Sequence, residues 1–258
     1  MTEISLKDAT VQAEQASILC DVSVQFRTGE LAVILGPNGA GKTTLMLYAL
    51  GLARLNNGIA TIDHVESHLL SSRDRALKVA YLPQARPLAW PLTVKDTVAL
   101  GRFAHGAALG RLAAPDDAAV HRALAACHLL DLQGRRTDTL SGGELARVHC
   151  ARAFAAEAPL LLADEPVVSL DPKHQFLLLQ MIRRFVDGGR GAVVILHDPA
   201  LAARFADRLV WMLDGKIVAD GSVEQTLTEQ RMVDVYRVKS HIEHTEDGLH
   251  VSVSGALE

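Results

Sequence analysis

Short runs of consecutive apolar residues recur along the chain and are separated by longer segments with a helical pattern. The runs are LAVIL (31–35), LKVAYL (77–82), PLLLA (159–163), AVVIL (192–196) and RLVWML (208–213). A strand that is buried on both faces reads as a continuous apolar run, and parallel sheets covered by helices bury their strands in this way. The pattern therefore predicts an α/β fold with a largely parallel, doubly covered sheet.

The spacing of these runs also indicates how the chain is organised. Over about residues 85–156 the sequence becomes alanine-rich and helical, without a comparable strand run, and we expect an inserted helical subdomain there. Near the end, VKSHIEHTEDGLHVSVS alternates apolar and polar residues around Asp247-Gly248, which indicates a β-hairpin with a type I′ turn. The expected organisation is a main domain over residues 1–230 and a hairpin appendage over 231–258.

Charge and cysteine content narrow the classes of partner. The 258 residues carry a formal net charge of −4, so the chain lacks the basic character of nucleic-acid-binding proteins, and we expect no nucleic-acid partner. Cys20, Cys127 and Cys150 are odd in number and lack CxxC spacing, which is typical of reduced thiols. The first ten residues, MTEISLKDAT, lack the basic-then-apolar pattern that predicts a signal segment, and no apolar run approaches the ~18 residues that span a bilayer. If a membrane is involved, we expect a partner to supply the spans.

The segment GPNGAGKTTL, residues 36–45, carries the clearest chemical motif. It fits G-x-x-x-x-G-K-[ST], and it stands after a strand run and before a helical segment, as the motif's mechanism requires. Glycines let the backbone wrap closely around a phosphate, the lysine reaches the β- and γ-phosphates, and the hydroxyl binds Mg²⁺. The alternative, a glycine-rich turn that binds nothing, has no need of a lysine and a hydroxyl at these offsets. The expected nucleotide-binding residues are Gly36, Pro37, Asn38, Gly39, Ala40, Gly41, Lys42, Thr43 and Thr44.

A second motif, LLLADEP at residues 160–166, is a strand run that ends in two carboxylates. We expect Asp164 to hold Mg²⁺ through water and Glu165 to act as a base or orienter for the attacking water. Phosphoryl transfer depends mainly on positioning and charge neutralisation, so a metal, Lys42 and a water-orienting carboxylate together indicate a hydrolytic site. A solvated strand end is the alternative.

The segment LSGGE, residues 140–144, precedes a helical stretch. Ser141, followed three residues later by Glu144, is a capping box, and the helix N-terminus that it begins is also a place where an anion can bind. One group of residues can do both. The sequence therefore predicts a second anion site, apart from the first in the chain.

Together these motifs resemble the ATP-binding-cassette (ABC) ATPases. LSGGE looks like that family's signature, and it lies shortly before LLLADEP. Further family elements follow the family's order: LPQ gives Gln84, SLD gives residues 169–171, and LHD gives His197. The resemblance covers roughly residues 4–225. It implies a P-loop NTPase with a RecA-like core, an inserted helical subdomain and an N-terminal antiparallel β part.

The same resemblance implies roles for the matched residues and a homodimer. Two copies would hold two ATP molecules between them, with Ser141, Gly142 and Gly143 of one copy completing the site of the other. His197 would contact the γ-phosphate, and Asp171 would couple the two sites. The implied catalytic residues are Lys42, Gln84, Glu165 and His197, and the implied ligands of Mg²⁺ are Thr43, Gln84 and Asp164.

The sequence departs from the family at two places. An aromatic residue that stacks on adenine usually precedes the P-loop, but the expected position falls near Ala13, and the first aromatic residue is Phe26. Base stacking is worth about 1–3 kcal/mol, so its loss predicts weaker or less adenine-selective binding unless another side chain substitutes. Leu145 and Ala146 stand where relatives carry two glutamines, and we expect altered helix contacts there rather than lost hydrolysis.

A partner must receive the movement that ATP drives, and in transporters this is a membrane permease. The segment LPQARPLAWPLTVKDTVALGR looks like that of importers for iron-siderophore, heme and cobalamin, which also implies a periplasmic binding protein and a location at the cytoplasmic side of the membrane. A loop that packs the Trp90 ring on the helical lobe is the plain alternative for this segment. An exporter and a soluble non-transport ABC protein remain alternatives for the function. We expect His241, His244 and His250 to be solvated rather than to bind metal.

Overall fold

A computed structural model describes residues 1–13, 16–84, 90–245 and 248–257 of the chain, with the side chains of residues 13, 16, 245 and 248 left aside. The strands are β1 (Glu3–Ala13), β2 (Ala16–Arg27), β3 (Leu31–Leu35), β4 (Asn57–Ile62), β5 (Val65–Glu66), β6 (Val79–Leu82), β7 (Leu160–Ala163), β8 (Gly191–Ile195), β9 (Arg208–Leu213), β10 (Lys216–Ser222), β11 (Val238–Thr245) and β12 (Gly248–Ala256). The α-helices are α1 (Lys42–Ala49), α2 (Ser72–Lys78), α3 (Val94–Ala99), α4 (Ala114–Ala126), α5 (Gly142–Ala155), α6 (Pro172–Asp187), α7 (Pro199–Phe205), α8 (Val223–Thr226) and α9 (Glu229–Tyr236). Short 3₁₀ segments lie at Ser67–Leu69, Leu100–His105, Leu130–Leu132 and Thr137–Thr139.

The central sheet has the strand order β10-β9-β3-β8-β7-β6. The strands from β9 to β6 are parallel, and β10 pairs with β9 in antiparallel fashion. Every residue of β3, β7 and β8 is buried, because helices cover one face and a second sheet covers the other. This double burial explains the continuous apolar runs, and the predicted α/β fold is confirmed.

The second sheet is antiparallel, with the order β2-β1-β4-β5. It packs with α1 against one face of the central sheet, where Ala32 and Ile34 of β3 point. The neighbouring residues Leu31, Val33 and Leu35 point to the opposite face and join the helices there. The chain therefore has an apolar layer on each side of the central sheet, and α1 begins between the two sheets.

The helices α3, α4 and α5 form a lobe between β6 and β7, inside the span predicted to be helical. The lobe shares its apolar core with α6, where the rings of Phe154 and Phe185 stack with centroids 4.7 Å apart. Trp90, at the start of the described part of this lobe, is 63% exposed. Residues 85–89 lie outside the described residues.

The C-terminal segment is tied to the main core. Met232 and Val235 of α9 are buried in that core, and Ile242 and Val251 of the β11–β12 hairpin pack against it. The expected boundary at residue 231 falls inside α9, so no linker separates the hairpin from the main core. Gly248 of the expected turn pairs with Thr245, while residues 246–247 lie outside the described part.

The histidines of the hairpin lie on its exposed surface. His241 contacts Glu229 and Glu243 at 3.0 and 2.9 Å, and the two carboxylates raise its pKa. Within the described residues no group of three or more His, Cys, Asp or Glu side chains is arranged to hold a metal ion. In the same part of the chain, no helix combines the length and the apolar character that crossing a membrane requires.

One buried arginine joins the first and last segments of the helical lobe. Arg102 is 5% exposed; its Nε donates to Asp116 Oδ1 at 2.9 Å, and its Nη1 donates to Glu157 Oε2 at 3.0 Å and to the Ala155 carbonyl at 2.9 Å. Arg122 donates to the other oxygen of Glu157, but its side chain is 62% exposed. The two arginines therefore contact one carboxylate from environments of very different burial.

Replacing Arg102 is expected to destabilise the lobe strongly. Arg102→Ala leaves Asp116, whose side chain is 13% exposed, without its partner, and breaking a buried ion pair in this way costs about 3–5 kcal/mol. Arg122→Ala is the matched control, and we expect about 0–1 kcal/mol for that exposed pair. Chemical denaturation of the nucleotide-free protein measures both, and equal losses would contradict this account.

Candidate functional site

The loop 36–41 connects β3 to α1 and is held between the two sheets. Gly36 has φ +152° and Gly41 has φ +94°, both in the region that favours glycine. A Cβ on Gly36 would lie 2.2 Å from the Met212 carbonyl oxygen of β9, and one on Gly41 would lie 2.6 Å from that of Ile18 in β2. A Cβ on Gly39 would meet nothing within 4 Å, so the outer side of the loop is open there. Glycine is favoured at this position by the backbone φ of +82° and not by a lack of space.

The Lys42 ammonium lies inside this loop. Its Nζ donates to the carbonyl oxygens of Gly36 at 2.7 Å and Pro37 at 2.8 Å, and the residue is 6% exposed. Burial lowers the Lys42 pKa, while the negative charges of Glu165 and Asp164 act in the opposite direction. Of the other predicted loop residues, Asn38 and Gly39 are exposed and Ala40 is buried. The positive charge of Lys42 is thus held inside the loop, at the first turn of α1.

Thr43 and Asp164 bring two oxygen ligands together at the start of α1. Thr43 Oγ1 donates to Asp164 Oδ1 at 3.2 Å, and the backbone N–H of Asp164 donates to the Leu82 carbonyl of β6 at 2.8 Å. Asp164 is 1% exposed, and burial raises its pKa. Thr44 follows on α1 and is half-buried. Hydroxyl and carboxylate oxygens suit Mg²⁺, so the donor set fits that ion.

Glu165 receives contacts from two other strand ends. Gln84 Nε2 donates to Glu165 Oε2 at 2.6 Å, and His197 Nε2 lies 2.6 Å from Glu165 Oε1. The Glu165 backbone is left-handed, with φ +47°, directly after Asp164. The structure therefore brings together the residues that the sequence predicted as catalytic or metal-binding: Lys42, Thr43, Gln84, Asp164, Glu165 and His197. These six residues and loop 36–41 form the phosphate-loop cluster.

A second cluster contains the remaining predicted residues. Ser141 begins α5: its Oγ accepts from Glu144 N at 3.3 Å and its N–H donates to Glu144 Oε2 at 2.8 Å, so the predicted capping box is present. Asp171 is the N-cap residue of α6, and its carboxylate contacts both the backbone N–H and the ring of His174. Among the described residues, no hydrogen bond or ion pair joins Ser141, Gly142, Gly143 or Asp171 to the phosphate-loop cluster. The two predicted anion sites are thus separate within one chain.

Tyr236 is a site contact that the sequence did not indicate. The Gly36 N–H donates to the Tyr236 hydroxyl at 3.0 Å, and the Tyr236 ring packs edge-on against Trp211 with centroids 6.1 Å apart. Burial raises the Tyr236 pKa to about 12. The last residue of α9 therefore supports the first residue of the loop.

This arrangement defines a P-loop nucleoside triphosphatase, because the loop follows β3 and the acidic pair follows β7 of one parallel sheet. The family described as ABC transporter matches residues 19–168, more than half of the chain. The chain belongs to the ABC transporter family, and it is an ATP-binding, ATP-hydrolysing subunit.

Several sequence relatives are similar over most of this chain. The hemin import ATP-binding protein HmuV of Streptomyces coelicolor is 38% identical over 219 residues, which cover 85% of this chain and 78% of that protein. HmuV of Pseudomonas fluorescens is 37% identical over 244 residues, covering 92% of this chain and 94% of that protein. The cobalamin import ATP-binding protein BtuD of Halobacterium salinarum is 38% identical over 219 residues, covering 84% of this chain and 54% of that protein.

Solved structures are similar in fold. An inward-facing conformation described as that of a metal-chelate type ABC transporter has a TM-score of 0.84 and covers 100% of this chain and 99% of that chain. Its sequence identity is 22%, so this likeness concerns the fold alone. A dimeric ATP-binding cassette bound to ADP and Pi has a TM-score of 0.72 at 27% identity, covering 85% of this chain and 98% of that chain.

Removing the Tyr236 hydroxyl is expected to destabilise the protein. In Tyr236→Phe the ring still packs on Trp211, but the buried Gly36 N–H loses its acceptor, which costs about 1–3 kcal/mol of unfolding free energy. Tyr48→Phe is the control, because the Tyr48 hydroxyl has no hydrogen bond among the described residues. Denaturant unfolding measures both variants. Equal stability of Tyr236→Phe and the unsubstituted protein would show that the N–H finds another partner.

Proposed function

We propose that this chain energises an importer for metal chelates of the iron-siderophore, hemin or cobalamin type. The observation that carries this proposal is the likeness to hemin and cobalamin import ATP-binding proteins over most of the chain. The chain would act at the cytoplasmic side of the membrane, on permease subunits. A periplasmic binding protein would deliver the substrate to those subunits. No nucleic-acid partner is proposed, in line with the net charge of −4.

ATP and Mg²⁺ would bind at the phosphate-loop cluster. The N–H groups of residues 38–44 and the Lys42 ammonium would hold the phosphates, Gly36 and Pro37 would shape the start of the loop, and the start of α1 adds positive potential. Thr43 and Asp164, whose oxygens are adjacent, would hold Mg²⁺ together with Gln84. When bound, the ion would neutralise the charge of the phosphates.

Glu165 and His197 would perform the hydrolytic step. Glu165 would orient the attacking water and accept its proton, and His197 would donate to the γ-phosphate. Glu165 and His197 are in contact at 2.6 Å, and Gln84 contacts the same carboxylate. These contacts support an arrangement in which the three side chains act together. Lys42 would stabilise the charge that develops on the transferred phosphate.

A homodimer would complete each site. Ser141, Gly142 and Gly143 lie at the N-terminus of the 14-residue helix α5, which offers N–H donors and positive potential to an anion. Because no hydrogen bond among the described residues joins them to the phosphate-loop cluster of the same chain, we infer that their anion would be held by another copy. Asp171 would lie at the same interface and couple the two sites.

The permease would dock in a groove between the sheet core and the helical lobe. A cavity of about 400 Å³ lies there, lined by residues of α2, β6, the Leu100–His105 segment and α5. Two apolar side chains at its edge, Leu52 and Phe103, are 51% and 53% exposed. β6 leads directly toward Gln84, so a segment docked in this groove would be close to a residue that contacts Glu165.

Replacing the proposed base tests the catalytic part of the proposal. Glu165→Gln keeps the size of the side chain but cannot accept a proton, so ATP turnover is expected to fall by about 10²–10⁴-fold. The ATP-bound dimer should accumulate because hydrolysis no longer resets it. Phosphate release and size-exclusion chromatography with light scattering measure the two effects.

The control for this experiment is Glu224→Gln, which makes the same chemical change at an exposed position on α8. It should hydrolyse ATP at the parent rate and show no added dimer. Normal turnover of Glu165→Gln would remove Glu165 from the role of base.

The docking proposal is tested by placing a charge in the groove. Phe103→Asp should reduce co-purification with the permease subunits by about tenfold or more, because an apolar contact is replaced by an unpaired carboxylate. Val253→Asp is the control, since Val253 is an apolar residue of the hairpin that is 59% exposed. Equal retention of the permease by both variants would argue against this groove.

A further inference from the structure

His174, in the first turn of α6, links the two parts of the second cluster. Its Nδ1 lies 2.7 Å from Asp171 Oδ2, and its backbone N–H donates to Asp171 Oδ1 at 3.0 Å. Because a carboxylate only accepts, Nδ1 carries the proton in this contact. The backbone bond alone would cap the helix. The side-chain bond is additional, and it fixes the orientation of the imidazole ring.

The oriented ring lies against Gly143. A Cβ on Gly143 would lie 2.3 Å from His174 Cδ2, 2.6 Å from Cγ and 2.7 Å from Nε2. A Cβ on Gly142 would meet nothing within 4 Å. The second glycine of LSGGE is therefore required by the ring packed on it, whereas the first leaves the helix N-terminus open on its outer side.

The two contacts of His174 form a continuous connection from Asp171 to the start of α5. That start is itself fixed by the capping box of Ser141 and Glu144. The His174 side chain is 28% exposed, so the connection lies at the molecular surface rather than in the core. Its position suits a role in presenting residues to another molecule more than a role in stabilising the fold.

We propose that His174 is a positioning residue that holds Asp171 and the N-terminus of α5 in one arrangement, so that a second copy of this chain meets both together. This inference rests on the proposed ATP-bound homodimer. In that dimer, loss of the ring would let Asp171 and residues 141–143 move independently. Closure of the dimer would then require each to be ordered separately, at an added cost in conformational entropy.

The experiment measures dimer formation separately from ATP binding. In the Glu165→Gln background with ATP and Mg²⁺ at saturation, sedimentation equilibrium gives the dimer Kd for the parent and for His174→Ala. Titration of ATP at protein concentrations below that Kd gives the affinity of the monomer. His174→Ala should raise the dimer Kd by about tenfold or more. The ATP Kd of the monomer should stay within about twofold, because among the described residues no hydrogen bond or ion pair joins His174 to the phosphate-loop cluster.

Two further variants divide the connection into its parts. His174→Asn keeps an N–H donor near the position of Nδ1 but leaves space above Gly143, and His174→Phe fills that space but cannot donate to Asp171. We expect both to give dimer Kd values between those of the parent and His174→Ala. Lys173→Ala, on an exposed neighbour in the same turn, is the matched control and should behave as the parent does.

Several outcomes would overturn the inference. An unchanged dimer Kd in His174→Ala, or an equal rise in Lys173→Ala, removes the positioning role while leaving the proposed homodimer intact. If His174→Ala does not fold, a parent-like dimer Kd for both His174→Asn and His174→Phe would likewise remove the positioning role. If the Glu165→Gln parent itself does not dimerise with ATP, the proposed function fails and this inference fails with it.

Discussion

The backbone of loop 36–41 packs directly against the backbones of two strands from different sheets, and this contact sets where α1 begins. Met212 of β9 approaches Gly36, and Ile18 of β2 approaches Gly41, so closely that neither glycine has room for a Cβ. Since the loop is fixed from both sides, the N–H groups at the start of α1 have fixed directions before any ligand arrives. Donors that need no reorganisation are the most effective at stabilising phosphate charge.

The parallel sheet then supplies the remaining groups from neighbouring strand ends. Gln84 follows β6, the acidic pair follows β7, and His197 follows β8, so all of them emerge at one edge of the sheet. The left-handed backbone of Glu165 carries a cost of roughly 1–2 kcal/mol. The contacts of its carboxylate with Gln84 and His197 are available to offset that cost. The residue proposed to orient water is thus one of the positions at which the backbone is strained.

Contacts that are local in the chain could be predicted from the sequence, and contacts between distant segments could not. The apolar runs predict the central strands because double burial leaves no polar position, and the capping box at Ser141 depends on a spacing of three residues. Tyr236 is 200 residues from Gly36, and no periodicity connects them. The alternation in the C-terminal hairpin indicates one apolar face but not what covers it, so its packing on the main core emerged only in three dimensions.

Charged side chains of the phosphate-loop cluster are already paired within the single chain, and this has a consequence for how ATP could act. Lys42 bonds to the carbonyls of Gly36 and Pro37, and Glu165 is shared by Gln84 and His197. At the Lys42 ammonium and at His197, phosphate oxygens would replace these partners, so the net gain from each of these two exchanges is modest. In the proposed dimer, the N–H groups of both clusters would add their contacts to one nucleotide. The approach of a second chain would bring the two clusters together, and closure of the proposed dimer would depend on ATP in this way.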